Sequence, residues 1–417
     1  MLSCLSQTII ATAMLCGWLG GFNSAGAADR PMLGRDETRN GVSPMPEDAE
    51  LVRRIESLVT ELNHNQFKVR EVATLELLRI GDPADPALQR AVADSQSLEV
   101  RYRAAAILQM FWVRKMPVAI QLLTGQHQDV VTMAVFSPDG ETLASTSEDG
   151  TTVLWKWREA KSLRVLKGHV RGVLLAAFSP DGKTLATGGR DAKVILWDVG
   201  SGDKRAVIDD HTAAVSTVIY SRDGKTFATG SSDKSVKVRD SDGKLRYSLA
   251  GHHQDVIALA LSADAKLLVS AGGNWENSLR QGELKVWDLE TRTVRWSAGG
   301  EFGGIWGVDL SPDGKQLAGA SLDGTVRIWD TASGEVRSIL KGHTNRVIWV
   351  AYAPSGQWLA SAGLDGAVRF WDAASPQAKA VGHVVALPVH RFAFAPREKV
   401  LATAGSDRAV TIWRIPD

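Results

Sequence analysis

The sequence is short of cysteine, of net charge and of long apolar runs, and each shortage narrows what the chain can be. Only two of its 417 residues are cysteines, Cys4 and Cys16, both near the start. Beyond them there is no disulfide framework, no thiol nucleophile, no thiolate metal site and no Cys-x-x-Cys-His for covalent haem. Charge is balanced, 48 Lys and Arg against 47 Asp and Glu, so no generic pull on nucleic acid phosphates is expected. The apolar run IIATAMLCGWLGGF at residues 9–22 is short for a membrane span of roughly 20 residues. Small residues follow it in NSAGAAD, a pattern that predicts a secretory signal over residues 1–28, cleaved after Ala27 or Ala28. An uncleaved anchor is the alternative. With cleavage, no stable membrane insertion is expected and the protein is exported to the periplasm or cell envelope.

What is present falls into two patterns. Residues 29–46 mix Pro and Gly with polar residues and read as a linker. From Glu47 the period turns helical: Leu51, Ile55, Leu58 and Leu62 share one face. A second helix over about 66–80 should stop at Gly81 and Pro83, a third starts near Pro86, and a fourth runs from Ser97 as N-cap. In the fourth, Leu98, Tyr102, Ala105 and Phe111 are expected to face inward. The stretch NQFKVREVATLELLRIGDPADPALQRAVADSQSLEVRYRAAAIL resembles HEAT-like helical segments of exported bacterial proteins, which places a helical module at 47–115.

From Gly125 the chain repeats itself. Trp155, Trp197, Arg239, Trp287, Trp329, Trp371 and Trp413 close seven units at spacings of 42, 42, 48, 42, 42 and 42. Turn sequences such as FSPDG at 136 and 178 separate strands rich in β-branched and large apolar residues. Gly-His opens most units and Trp-Asp closes several. The units resemble WD40 repeats, which implies a mainly β protein: a seven-bladed propeller over 116–417 behind the small helical module. The last unit stops after its third strand, so residues 116–124 are expected to supply the outer strand that closes the last blade.

His, Ser or Thr, and Asp recur at matched places within these units. The sets are His127, Ser145, Asp149 and Trp155; His169, Thr187, Asp191 and Trp197; His211, Thr229 and Asp233; and His343, Ser361, Asp365 and Trp371. These are the residue types of a hydrolytic triad. Repetition argues against that reading, because an active site is assembled once whereas a building rule recurs. In WD40 repeats, which these resemble, such residues form a hydrogen-bonded network inside each blade. Four units depart from the pattern: Arg239 replaces Trp in the third, Gln281 stands near the Asp slot of the fourth, Glu301 replaces His in the fifth, and the seventh has two extra residues after Gly382-His383.

The resemblance implies a non-enzymatic scaffold that binds protein partners at the end bearing the His and Asp residues, with no nucleic acid, cofactor or metal. The candidate contact residues are Leu174, Ile257, Trp306, Ile348 and His390, which follow the Val or Ile that opens each first strand. Trp275, in the insertion of the fourth unit, Asp255 and Arg346 lie near them in the pattern. Aromatic and Arg anchors of this kind are the composition of an interface hot spot; the alternative is that Trp306 plugs the channel and Trp275 packs on its own loop. The competing class is a periplasmic enzyme, a metal-assisted hydrolase or lyase, using the propeller as a frame. Against it stand the lack of a surplus His or Cys and of a Gly-rich phosphate loop. The partner's identity and the oligomeric state are left open.

Overall fold

The computed structural model describes residues 46–114, 117–273, 282–300, 302–373, 382–385 and 389–415. The proposed signal, most of the linker, Trp275, Gln281 and Glu301 lie outside them. The chain divides into two compact units, Met1–Arg54 and Ile55–Asp417. The described part of the first is the opening of helix α1 (Pro46–Glu61), which begins at the last residue of the expected linker.

The second unit contains helices α2 (Phe67–Ile80), α3 (Asp85–Asp94) and α4 (Leu98–Arg114). Helix α2 ends as its sequence predicts, with Gly81 at φ 75° and its N–H returned to the carbonyl of Leu77. Ser97 accepts a bond from the N–H of Val100, the contact of an N-cap. Ile55, Leu58, Leu62, Leu77, Leu88, Val100, Ala104 and Ile107 form one apolar core. The inward face of α4 differs from the expected one: Leu98 and Tyr102 are each 75% exposed. The helix offers two apolar stripes, and the stripe of Val100, Ala104 and Ile107 wins because it meets α2 and α3. Leu51 is likewise at the surface.

The described residues between Val118 and Arg414 form seven four-stranded antiparallel sheets, each a blade. In the first blade the strands are Val131–Phe136, Thr142–Ser147, Thr151–Lys156 and Lys161–Lys167. The first strands of neighbouring blades pack on one another around the whole ring and line its channel. The seventh blade takes its outer strand from Val118–Leu123, which pairs antiparallel with Val410–Arg414. The turns that end the first strands are tied by their own side chains. Ser137 donates to Asp139, which also accepts from the N–H of Glu141, while Gly140 takes φ 79°.

Every first strand carries the same irregularity. The pairing register slips between residues 131 and 133, and likewise at 173/175, 215/217, 256/258, 305/307, 347/349 and 389/391. One extra residue per blade is thereby turned out of the ladder, as in a β-bulge. Those residues are Thr132, Leu174, Ser216, Ile257, Trp306, Ile348 and His390, so the bulges form one ring at the end of the channel nearest the histidines.

Candidate functional site

The His, Thr and Asp of blade two show why triad chemistry comes to mind. His169 Nε2 is 2.9 Å from Thr187 Oγ1, and His169 Nδ1 is 2.9 Å from Asp191 Oδ1. Hydroxyl, imidazole and carboxylate thus stand in the order that activates a nucleophile. The hydroxyl, however, is already engaged: Trp197 Nε1 donates to Thr187 Oγ1 at 2.9 Å, and Thr187 has no exposed surface. Accepting from the indole turns the hydroxyl hydrogen to His169 Nε2, which leaves Nδ1–H for the aspartate. The free oxygen of Asp191 takes the N–H of Val170 at 3.1 Å. Every member is paired, and no substrate carbonyl can reach the oxygen. Gly189 is required beside this pair, because a Cβ there would lie 2.5 Å from His169 Nδ1.

The same circuit recurs on blade six, where His343 Nε2 meets Ser361 Oγ at 2.8 Å and its Nδ1 lies 3.0 Å from both oxygens of Asp365. Trp371 donates to Ser361 at 2.8 Å. Blade one inserts a hydroxyl: His127 Nδ1 is 3.1 Å from Thr151 Oγ1, which donates to Asp149, and 3.5 Å from Asp149 itself. Trp155 and His127 share Ser145 Oγ, each at 2.7 Å. Blade three keeps His211, Thr229 and Asp233, with both imidazole contacts at 2.8 Å. Its Arg239 is buried and turns to Asp210 at 2.5 Å, so Thr229 lacks the indole donor of its counterparts.

Blade four contains what the sequence pattern did not single out. His252 Nδ1 is 3.0 Å from Glu283 Oε2, and its Nε2 is 2.6 Å from Ser270, to which Trp287 donates at 2.7 Å. The acid is Glu283, two places beyond the Gln281 that stands near the Asp slot in sequence. It stands four places before the tryptophan instead of six, and its extra methylene spans the difference. The N–H groups of His253 and Gln254 also close on it. In blade five Gly319 occupies the hydroxyl position, and Phe302 packs edge-on against Trp329 at 6.1 Å instead of a polar network. In blade seven Thr403 accepts from Trp413 at 2.9 Å.

Burial is the leading reason that His127, His169, His211, His252 and His343 are all held below the ordinary histidine value of 6.5. Their acids, Asp149, Asp191, Asp233, Glu283 and Asp365, are held below the ordinary carboxylate range: hydrogen bonds and the facing imidazole outweigh the upward pull of burial. A neutral imidazole beside an ionised acid follows in each of these five blades.

The candidate contact residues lie on the ring of bulges, but they are not a uniformly exposed patch. Ile348 is buried at 6% exposure, while Leu174, Ile257, Trp306 and His390 are half-buried. Arg346 and Asp255 are half-buried in the loops that lead into their first strands. A bulge points its residue along the neighbouring blade rather than straight out of the end. Thr132 accordingly donates to the carbonyl of Val173 at 2.7 Å, and Ser216 donates to that of Val256. His390 Nε2 lies 3.0 Å from Ser406 Oγ.

Other side chains on the first strands join blades in the same manner. Trp349 Nε1 donates to Phe392 O at 2.9 Å, and Asp309 accepts from the N–H of Tyr352 at 2.8 Å. Arg391 reaches from blade seven to Leu174 O of blade two at 2.7 Å, its guanidinium 5.2 Å from the Trp349 ring. Desolvation lowers Arg391 to about 10. Trp349 and Arg391 are thus large first-strand side chains that join blades around the channel. Among the described residues no group of three His, Cys, Asp or Glu is arranged to hold a metal ion, and no helix is long and apolar enough to cross a membrane.

Comparison with known proteins agrees with this architecture. A model of the WD domain, G-beta repeat, matches residues 118–156, so the repeat begins in the strand that closes blade seven. Nuclear distribution protein nudF of Emericella nidulans is 45% identical over 62 residues, 15% of this chain and 14% of that protein. The nudF of Aspergillus terreus is 47% identical over 47 residues, 11% of this chain and 10% of its own length. The matches span between one and about one and a half repeats. The family model described as the IFT122 first beta-propeller matches residues 173–417, more than half of the chain. Seven blades, the recurring His-to-Trp circuits and that match together make the chain a member of this family of WD40-repeat β-propellers.

Proposed function

We propose that the protein is a non-enzymatic scaffold that binds protein partners at the histidine end of its propeller. Propellers of this family generally bind proteins. The observation that carries the reading is a contrast between positions. Residues that hold the blades repeat from unit to unit, whereas the seven bulge residues at one mouth are Thr, Leu, Ser, Ile, Trp, Ile and His. A frame that repeats around a rim that does not is what selective recognition needs, since only the varying positions can distinguish one partner from another. The apparent triads support the same reading, because their hydroxyls are consumed within the blades.

Export belongs to this proposal, supported by the apolar residues 9–22 and the small residues before Asp29. The test is capture from native envelope extract by the tagged full chain and by Ile257→Asp and Leu174→Asp, with thermal midpoints measured alongside. A partner retained by the wild type and lost from variants of unchanged midpoint supports the site. Equal capture by all three, or an intact Met1 on protein recovered from the cytoplasm, would overturn the corresponding part of the reading.

A further inference from the structure

The turns opposite the histidines contain a groove of about 380 Å³ between blades six and seven. Trp358, Phe370 and Pro354 form the blade-six wall, and Phe394, Pro396 and Ile415 the blade-seven wall, with Arg397 and Lys399 at the rim. Glu398, between those two cations, is paired with Arg158, and Arg397 also faces Asp139. The groove is therefore mainly an apolar, aromatic slot.

At the borders of blades three and four and of blades four and five the corresponding space is filled by the protein itself. On the outer strand of blade three, Tyr247 pairs in register with Val238 and packs with Leu261 and Leu289 of blade four. Its hydroxyl points at Leu289 O, 3.5 Å away. On blade four, Trp296 pairs with Val286 and donates its indole N–H to Thr331 O of blade five at 2.9 Å. Phe370, Phe394 and Ile415 are the counterparts of Val238, Leu261 and Leu289. The outer-strand residue in register with Phe370 is Gly382, which has no side chain to offer. Blades two and five place Ala206 and Ser338 at this position. At their borders the facing rings carry hydroxyls, Tyr220 and Tyr352, so an apolar aromatic pair facing a missing side chain is particular to the border of blades six and seven.

We infer that this groove is a second docking site, which takes one tryptophan side chain from a partner protein. The indole would lie where Trp296 lies two interfaces earlier, between Phe370 and Phe394, with its N–H directed at Ile415 O. Indole is favoured over phenol because the Trp296 bond is well formed, whereas the Tyr247 contact is at the limit of a hydrogen bond. The site is at the opposite end from the bulge ring, so it stands or falls separately from the proposed function. Residues 374–381, outside the described residues, contain no aromatic side chain that would serve instead.

The test uses the full chain and a short glycine peptide carrying one 5-fluorotryptophan, followed by fluorine NMR. A saturable shift is expected with the wild type. Gly382→Trp, which supplies the missing side chain, should weaken binding about tenfold or more while its thermal midpoint stays level or rises. Trp358→Leu, which removes half of one wall, should weaken it as well and serves if Gly382→Trp does not fold. A 4-fluorophenylalanine peptide, without the N–H, should bind about threefold to tenfold more weakly. No saturable shift with the wild type, undiminished binding by folded Gly382→Trp, or equal affinity for the two peptides would overturn the inference. So would tighter binding after residues 374–381 are replaced by a Gly-Ser linker of equal length, since the chain's own segment would then be the occupant.

Discussion

At the scale of single residues, the same three side chains can be a catalyst or a rivet, and what decides is the surroundings of the hydroxyl. Thr187 is fully buried under the Trp197 indole, so Asp191 serves the fold: it holds His169 Nδ1–H and the N–H of Val170. Asp191→Ala is expected to destabilise by about 1–3 kcal/mol, because it strands the buried His169 Nδ1–H. Urea unfolding measures this, and an unchanged midpoint would refute the structural role. The protonation of these groups also sets a pH dependence. Each of the five network histidines has a folded value below 6.5. Below 6.5 the unfolded chain therefore binds protons that the native chain refuses, and stability falls as pH drops. Asp309 works in the opposite sense. Desolvation in the channel wall raises it from 3.8 to about 7, against the N–H groups of Tyr352 and Leu310. Between those values the folded state holds the extra proton, so this carboxyl costs stability as pH rises through the window and returns it on acidification. Asp309→Asn removes that offset, and its unfolding free energy is expected to fall more steeply than wild type from pH 7 to pH 5. Parallel pH profiles would show that Asp309 is ionised throughout.

At the scale of strands and blades, legibility followed the repeat. The four units that keep His, Ser or Thr, and Asp at fixed offsets could be assigned from sequence, because a side chain six places before the closing residue reaches the same point in every blade. Blade four could not, since its insertion moves the acid into the third strand. Only the length of the Glu283 side chain restores the contact with His252. The sign in the sequence was an acidic residue two places after Gln281, in a unit with no Asp six places before its Trp. Glu283→Asp is expected to lower the thermal midpoint, since the shorter acid draws back from His252 and from two N–H groups at once; Asp191→Glu in blade two should do so by overcrowding. The bulges were legible as positions but not as directions. Alternation along a strand assigns a side chain to one face, and a register slip invalidates that rule for one residue, which is why Thr132 and Ser216 join neighbouring blades. Thr132→Val keeps the shape and removes the bond to Val173 O. A loss of about 0.5–1.5 kcal/mol in urea unfolding is expected, and no loss would mean that the contact contributes nothing net. The face of α4 was misassigned for a related reason: two apolar stripes on one helix cannot be ranked until the neighbouring helices are in place.

At the scale of the whole molecule, the ring poses a problem that no single blade does, because a row of blades has two ends. The strand Val118–Leu123 joins them by pairing with Val410–Arg414, so chain segments almost 300 residues apart share one sheet. Leu123 is buried with Val410, Ile412, Val131 and Trp157, which ties the seam into the cores of blades seven and one. This seam was open to sequence reasoning because the last unit ends one strand short, and a free strand edge invites association. Removal of residues 118–123 leaves the outer edge of the third strand of blade seven unpaired and exposes the apolar side chains that Leu123 covers. The variant is expected to have a lower thermal midpoint and to associate in a concentration-dependent manner, seen by light scattering. A synthetic peptide of residues 116–124 should reverse both effects by adding back the missing strand, since main-chain pairing supplies most of such affinity. A monomeric variant with the midpoint of the wild type would mean that the ring is held by its first strands alone. The peptide separates these cases: rescue by the cognate sequence but not by a scrambled one locates the closure in the pairing of Val118–Leu123 rather than in chain length.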